Sequence, residues 1–253
     1  MKNDAYNKAI TKFGPYMDPN TRSFCERVYA SDQSVYESRL KAIGFNGLEH
    51  VLDAGCGVGQ WTSVLAELNT SVSAFDIDGL RLAFLDSVLS ADDKQADLRW
   101  SSITSLDYED QSFDAIFSYG VIFISDWKKA LEEFHRVLKP GGRLYFTINE
   151  IGWYLHLWNN APNKESTYDP RQVAAEAFTK TIEYENRPEM VKPGSKIIGS
   201  QECTVELERL GFTNIQSGPE GTLSVVDIEG VRSFYPPTYE GLPGIREFLC
   251  VRP

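Results

Sequence analysis

His50-Val-Leu-Asp-Ala-Gly-Cys-Gly-Val-Gly-Gln-Trp61 is the stretch that decides the fold. Val51 and Leu52 make a short apolar start suited to a buried parallel strand, and Asp53 ends it. Gly55, Gly57 and Gly59 then alternate with Ala54, Cys56 and Val58. From Gln60 the apolar residues Trp61, Val64, Leu65 and Leu68 fall on one helical face. The pattern predicts strand, glycine turn, helix. Glycines permit a sharp turn and let a ligand approach the backbone without Cβ atoms in the way. The helix N-terminus offers unpaired N–H groups nearby. A tight turn that binds nothing is the alternative reading.

The spacing separates two ligand classes. A dinucleotide fingerprint runs G-x-G-x-x-G, whereas here the third glycine, Gly59, comes one residue early and Asp53 lies two residues before the first. This resembles motif I, D/E-x-G-x-G-x-G, of the class I S-adenosylmethionine (SAM) methyltransferases. The resemblance implies that Asp53, Ala54, Gly55, Gly57 and Gly59 pack against and hold the amino-acid part of SAM. Arg136-Val-Leu-Lys-Pro-Gly-Gly-Arg-Leu144 carries a second resemblance to the same family, R-V-L-K-P-G-G-x-L, at the expected separation. It covers residues 48–149 well and the remainder by layout. Phe113-Asp114 before an apolar run agrees with it.

Working outward, Ser71–Phe75 reads as a second strand ending at Asp76. An acid there can accept two hydrogen bonds from a ribose diol, and the family places its ribose-binding acid at this position. Ile77 is placed with the cofactor as well. Asp78 is the other acid in reach, and it also suits an N-cap for the helix from Gly79. After the third strand, Asp97–Ser101, the family commonly has an Asp facing the adenine amino group. This chain has Ser102-Ile103 instead, so a hydroxyl or a backbone group reads the base while Ile103 covers it. The fourth strand ends at Ser118-Tyr119, which puts Tyr119 beside the sulfonium and the acceptor. Asp126–Leu138 is an amphipathic helix closed by Lys139-Pro140-Gly141-Gly142, and Arg143–Ile148 is the fifth strand.

The fold expected is α/β: a doubly wound, mostly parallel seven-stranded sheet with helices on both faces and an antiparallel last strand. N-terminal helices and an inserted lid are added to it. The parts are an N-terminal helical cover (1–47), a Rossmann-like core (48–149), an inserted acceptor-covering lid (150–199) and the C-terminal part of the core (200–253). In the cover, Thr21–Ile43 is helical in pattern, Ser31 or Asp32 can cap a second helix, and Tyr36 can reach the site. The lid begins with the aromatic run Glu150–Trp158. An aromatic lid excludes water and can hold a cation by its ring faces, which nominates Trp153, Tyr154 and Trp158 for the acceptor. His156, Tyr119 and Glu150 are the candidate catalytic groups. Arg187-Pro188 and Pro193-Gly194 break the lid helix. Tyr235-Pro236-Pro237-Thr238 resembles the N-P-P-Y motif of base- and amide-methylating enzymes. That motif follows the fourth strand, so here the segment reads as a loop.

Composition sets the outer limits. With 42% hydrophobic and 24% charged residues the chain is ordinary globular material. A net charge of −11 with no long basic run argues against a large nucleic-acid footprint. The four cysteines, Cys25, Cys56, Cys203 and Cys250, are far apart, form no C-x-x-C pair and read as reduced thiols of a cytoplasmic protein. No run of about 18 apolar residues suggests a membrane span. No metal-ligand set is identified. The function expected is methyl transfer from SAM, leaving S-adenosylhomocysteine, to O or N of a small-molecule acceptor. A methyltransferase acting on protein or nucleic acid, and a catalytically silent SAM-binding regulator, are the alternatives. A nicotinamide oxidoreductase is disfavoured by the glycine spacing.

Overall fold

The glycine turn leaves the strand β1 (His50–Ala54), which is central in a seven-stranded sheet. The computed structural model describes residues 2–165, 167–187 and 194–253; the breakers Pro188 and Pro193 lie outside the described residues. The other strands are β2 (Ser71–Asp76), β3 (Asp97–Trp100), β4 (Phe113–Ser118), β5 (Leu138–Asn149), β6 (Thr213–Pro219) and β9 (Ile245–Val251). A short ribbon, β7 (Thr238–Tyr239) with β8 (Leu242–Pro243), stands apart from the sheet. The order is β3-β2-β1-β4-β5-β9-β6. Pairing is parallel from β3 to β5, and β9 runs antiparallel between β5 and β6. This is the architecture expected. The strand order reverses between β2 and β4 around β1, so the carboxyl ends of β1, β2 and β4 frame a crevice.

Side chains alternate between the two faces. Val51, Ala115, Phe117, Tyr145 and Leu249 pack beneath α3 (Ser34–Ala42) and α4 (Gln60–Leu68), with Tyr36, Leu40 and Trp61 at the contact. Leu52, Ile116, Leu144, Phe146 and Phe248 pack beneath α6 (Trp127–Val137) and α9 (Ser200–Arg209), through Trp127, Phe134, Cys203 and Leu207. Each large side chain so buried stabilises by roughly 1.5–3 kcal/mol, so both faces are anchored around the crevice. All four cysteines are free and buried. Among the described residues no helix is long and apolar enough to cross a membrane.

Three local expectations change. Residues Lys2–Phe13 form α1, which packs on α5 (Gly79–Ala91) through Tyr6 and Phe84. Its sparse apolar positions hid it in the sequence. The next helix, α2 (Pro19–Ala30), is capped by Asp18, which accepts from Thr21 N–H at 3.0 Å. The N-cap of α3 is Gln33, not Ser31 or Asp32 as expected; Asp32, one residue earlier, accepts from Ser34 N–H at 3.0 Å, while the Ser31 hydroxyl turns back to Arg27 O. β5 begins at Leu138 rather than Arg143, because Leu138 already pairs with Phe113 across an irregular register. The segment 150–199, expected as a lid, carries α7 (Ile151–Asn160) and α8 (Pro170–Asn186) among its described residues.

Candidate active site

The turn after β1 is tied to β2: Gly55 and Cys56 N–H donate to Phe75 O at 3.0 and 2.9 Å. All three glycines have positive φ, but for different local demands. A Cβ on Gly55 would lie 2.6 Å from Val121 Cγ1, and one on Gly59 would collide with Leu85. Gly57, at φ +55°, has no protein atom within 4 Å of the Cβ position. Two glycines therefore serve internal packing, and the third opens on the crevice. Tyr29 fixes the loop from outside by donating to Val58 O at 2.7 Å.

Two acids flank this opening. Asp76, at the end of β2, accepts Gly57 N–H through Oδ2 and Asp78 N–H through Oδ1, both at 2.9 Å. Each carboxylate oxygen has a second lone pair left for a hydroxyl donor. Asp78 itself caps α5, accepting from Leu80 and Arg81 N–H. Asp53 is buried beneath the turn and accepts the Thr62 hydroxyl at 2.6 Å. Burial pushes its carboxyl up to about 7; the Thr62 bond opposes the shift and nearby Asp76 adds to it. Ala54 is buried at the base of the turn. Ile77 is exposed, Ile103 is buried, and the Ser102 hydroxyl pairs with Thr104 Oγ1 at 3.0 Å.

One further observation suits a bound cofactor with an amino group. Gln60, in the first turn of α4, has a buried Oε1 with no partner among the described residues. An orphaned acceptor beside an open glycine suits a cationic amine, and a buried polar atom otherwise needs a partner. Nothing in the sequence distinguished Gln60 from an ordinary first helical residue.

Beyond Tyr119 the crevice becomes aromatic. The Tyr119 ring lies 5.1 Å from Trp61 and 6.3 Å from Phe234. Tyr36 joins the same cluster, edge-on to Trp61 at 4.8 Å and 5.3 Å from Phe234. Past Phe234, the segment 233–244 forms a strap. Tyr235 and Tyr239 pack on Trp153 of α7 at 5.3 and 5.7 Å. A Cβ on Gly152 would come within 2.5 Å of Leu242 O and Pro243 O, so this glycine seats the ribbon on the helix. The Tyr-Pro-Pro-Thr segment, read from sequence as a plain loop, thus belongs to this wall, and Phe234, Tyr235 and Tyr239 are site residues the sequence reading missed.

The strap is pinned by a buried ionic cluster. Arg39 Nη2 donates to Glu247 Oε2 at 2.6 Å and to Tyr145 Oη at 3.0 Å, and lies 3.3 Å from Glu220 Oε1. Glu220 Oε2 accepts Phe234 N–H at 2.8 Å, and its Oε1 accepts the Tyr119 hydroxyl at 3.2 Å. Glu247 Oε1 accepts Thr222 and Leu223 N–H at 2.8 and 2.5 Å.

Several nominated residues sit elsewhere. Tyr154 is fully buried between α7 and α8, donating to Lys196 O at 3.0 Å, because it packs with Ala174 and Ala177 of α8. Trp158, one turn on from Tyr154, is exposed. Glu150 is bound by Arg246 Nε at 2.7 Å and accepts Ser200 N–H at 3.3 Å, so it closes β9 and α9 onto α7. His156 stacks on Tyr239 at 4.3 Å, and its Nδ1 lies 3.0 Å from Asn160 Nδ2. The Asn160 amide thus engages Nδ1 from within the same helix. Tyr119 donates its proton to Glu220, and burial holds its phenol far above the ordinary range.

Residues 52–146 match the family model described as a methyltransferase domain. That segment is a methyltransferase domain. The domain implies SAM as its cofactor. Two relatives match mainly across it. A demethylmenaquinone methyltransferase of Clavibacter sepedonicus is 35% identical over 115 residues, covering 45% of this chain and 46% of the relative. A malonyl-[acyl-carrier protein] O-methyltransferase of Erwinia billingiae is 30% identical over 129 residues, covering 51% and 47%. The chain thus spans about half the length of the curated relatives it matches. A SAM-dependent methyltransferase structure from Clostridium acetobutylicum superposes with a TM-score of 0.59 at 14% identity, covering 87% of this chain and 92% of that one. At that identity the likeness to this methyltransferase domain is one of fold.

Proposed function

We propose that the chain transfers a methyl group from SAM to O or N of a small organic acceptor. The observation that supports this reading is the open glycine, Gly57, followed four residues on by Trp61, whose ring meets Tyr119 at 5.1 Å and Phe234 at 5.9 Å in the aromatic wall. When bound, SAM supplies a methyl carbon already activated by a sulfonium. Asp76 would hold the ribose through its free lone pairs, and Gln60 with Asp53 would receive the amino end. Ile77, Ser102 and Ile103 would meet the base. The strap and α7 would exclude water and align the acceptor, which for an in-line displacement can supply much of the rate. The names of the relatives support an organic acceptor and include O-methylation.

The three nominated bases are engaged: Glu150 by Arg246, His156 Nδ1 by Asn160 and the Tyr119 hydroxyl by Glu220. This favours a nucleophile that arrives needing none of the three as its base, as a neutral amine or an oxygen already ionised. The same engagement of candidate bases favours one second reading, a SAM-binding protein without turnover. Methyl release from radiolabelled SAM across a panel of amines, phenols and carboxylic acids tests both. Turnover with any member supports the enzyme; tight SAM binding with no turnover supports the silent binder.

A further inference from the structure

We propose that Trp100 walls the outer edge of the adenine site and that the protein does not read the 6-amino group of the base, so cofactors enlarged at that nitrogen are accepted. The inference rests on the SAM reading above. With the ribose at Asp76, the base lies toward the neighbouring edge strand β3, where Trp100 stands opposite Asp76 in register. Trp100 is 77% exposed, and Ile77 beside it 66%. Scattered exposed apolar residues are ordinary, but two large ones side by side at the mouth of a crevice mark a contact surface.

The tryptophan is also held in place. Its indole N–H donates to Ile77 O at 2.7 Å, which fixes the ring between β3 and the turn after β2. That bond uses the Ile77 carbonyl and leaves the ring exposed. The polar groups nearby are committed in the same way. The Ser102 hydroxyl pairs with Thr104 Oγ1 and accepts Thr104 N–H at 3.3 Å. The Asp78 carboxylate caps α5. The surface offers flat apolar area, the Ser102 hydroxyl and the Asp78 carboxylate beside it are engaged, and β3 is the edge of the sheet among the described residues. A substituent on the 6-amino nitrogen would extend past Trp100 into solvent.

Calorimetric titration with S-adenosylhomocysteine and its N6-benzyl derivative tests this on the native protein, Trp100→Ala and Trp100→Phe. The native protein should bind the two ligands within about threefold of each other. Trp100→Ala should weaken both by about tenfold, the scale of one base–aromatic stacking contact, with an unchanged thermal midpoint; Trp100→Phe should restore most of it. An N6-benzyl ligand bound over thirtyfold more weakly than S-adenosylhomocysteine, or a Trp100→Ala protein with native affinity, would overturn the inference while leaving the SAM reading intact. Absence of S-adenosylhomocysteine binding to the native protein would overturn the SAM reading and this inference together.

Discussion

The Tyr119 hydroxyl donates a 3.2 Å hydrogen bond to Glu220, 101 residues further along the chain. Through its other oxygen Glu220 holds the backbone of Phe234, so one carboxylate joins the end of β4 to the strap. Glu220→Ala would free the strap and leave buried Arg39 with Glu247 as its remaining carboxylate. We expect a loss of about 2–4 kcal/mol in unfolding free energy, because removing one member of a buried ionic group strands the rest. Hydrogen exchange across 233–239 should accelerate more than across the central strands. With an acceptor in hand, its KM should rise severalfold more than the dissociation constant of S-adenosylhomocysteine.

The glycine turn separates packing from binding. Gly59→Ala meets both a positive φ of 84° and the Leu85 side chain, and should cost about 3 kcal/mol or more of stability. Gly57→Ala meets only the backbone penalty, about 1–2 kcal/mol. Its methyl group would nevertheless stand in the open crevice, and S-adenosylhomocysteine affinity should fall by at least about tenfold. Denaturant unfolding and calorimetry on the two variants check the contrast.

Asp53 gives a pH signature. Burial raises its folded carboxyl to about 7, against about 3.9 in an unfolded chain. Between those values the folded state retains a proton that the unfolded state has lost, so this group's contribution to stability falls as pH rises from about 4 to 7. Asp53→Asn removes that loss. The variant should exceed the native protein by on the order of 1–3 kcal/mol at pH 8, with the gap shrinking toward pH 4. If Asp53 also receives the ligand's ammonium, native affinity for S-adenosylhomocysteine should be greater at pH 8 than at pH 6, and Asp53→Asn should flatten that dependence.

Trp153 and His156 lie one turn apart on α7 and should behave differently. Trp153→Ala removes the ring that both Tyr235 and Tyr239 pack on, and should raise acceptor KM by about tenfold. His156→Ala should leave turnover within about threefold, and the pH–rate profile should follow the acceptor's own ionisation. A hundredfold loss of kcat in His156→Ala would restore that histidine as the base.

The core was legible because its residues carry local instructions. Val51-Leu52 and Ala115–Phe117 are the apolar centres of β1 and β4, and the glycines and Asp76 mark the turns that follow β1 and β2. Lys139-Pro140-Gly141-Gly142 marked the end of α6, although pairing extended β5 back to Leu138. The aromatic wall was less legible. Tyr154 and Trp153 are adjacent and equally aromatic, and only the packing of α8 on one face of α7 and of the strap on the other assigns their directions. Glu150 looked catalytic until Arg246, 96 residues away, was placed beside it. Phe234, Tyr235 and Glu220 had no local signature because their roles arise from contacts with α3, α7 and β4.

Calorimetric titration of the purified chain with SAM, S-adenosylhomocysteine and NADH is the decisive measurement. SAM and S-adenosylhomocysteine should bind saturably and one to one, weakened at least about tenfold by Asp76→Ala, with no comparable binding of NADH. Tight binding of NADH without SAM, or SAM affinity untouched by Asp76→Ala, would contradict the SAM reading.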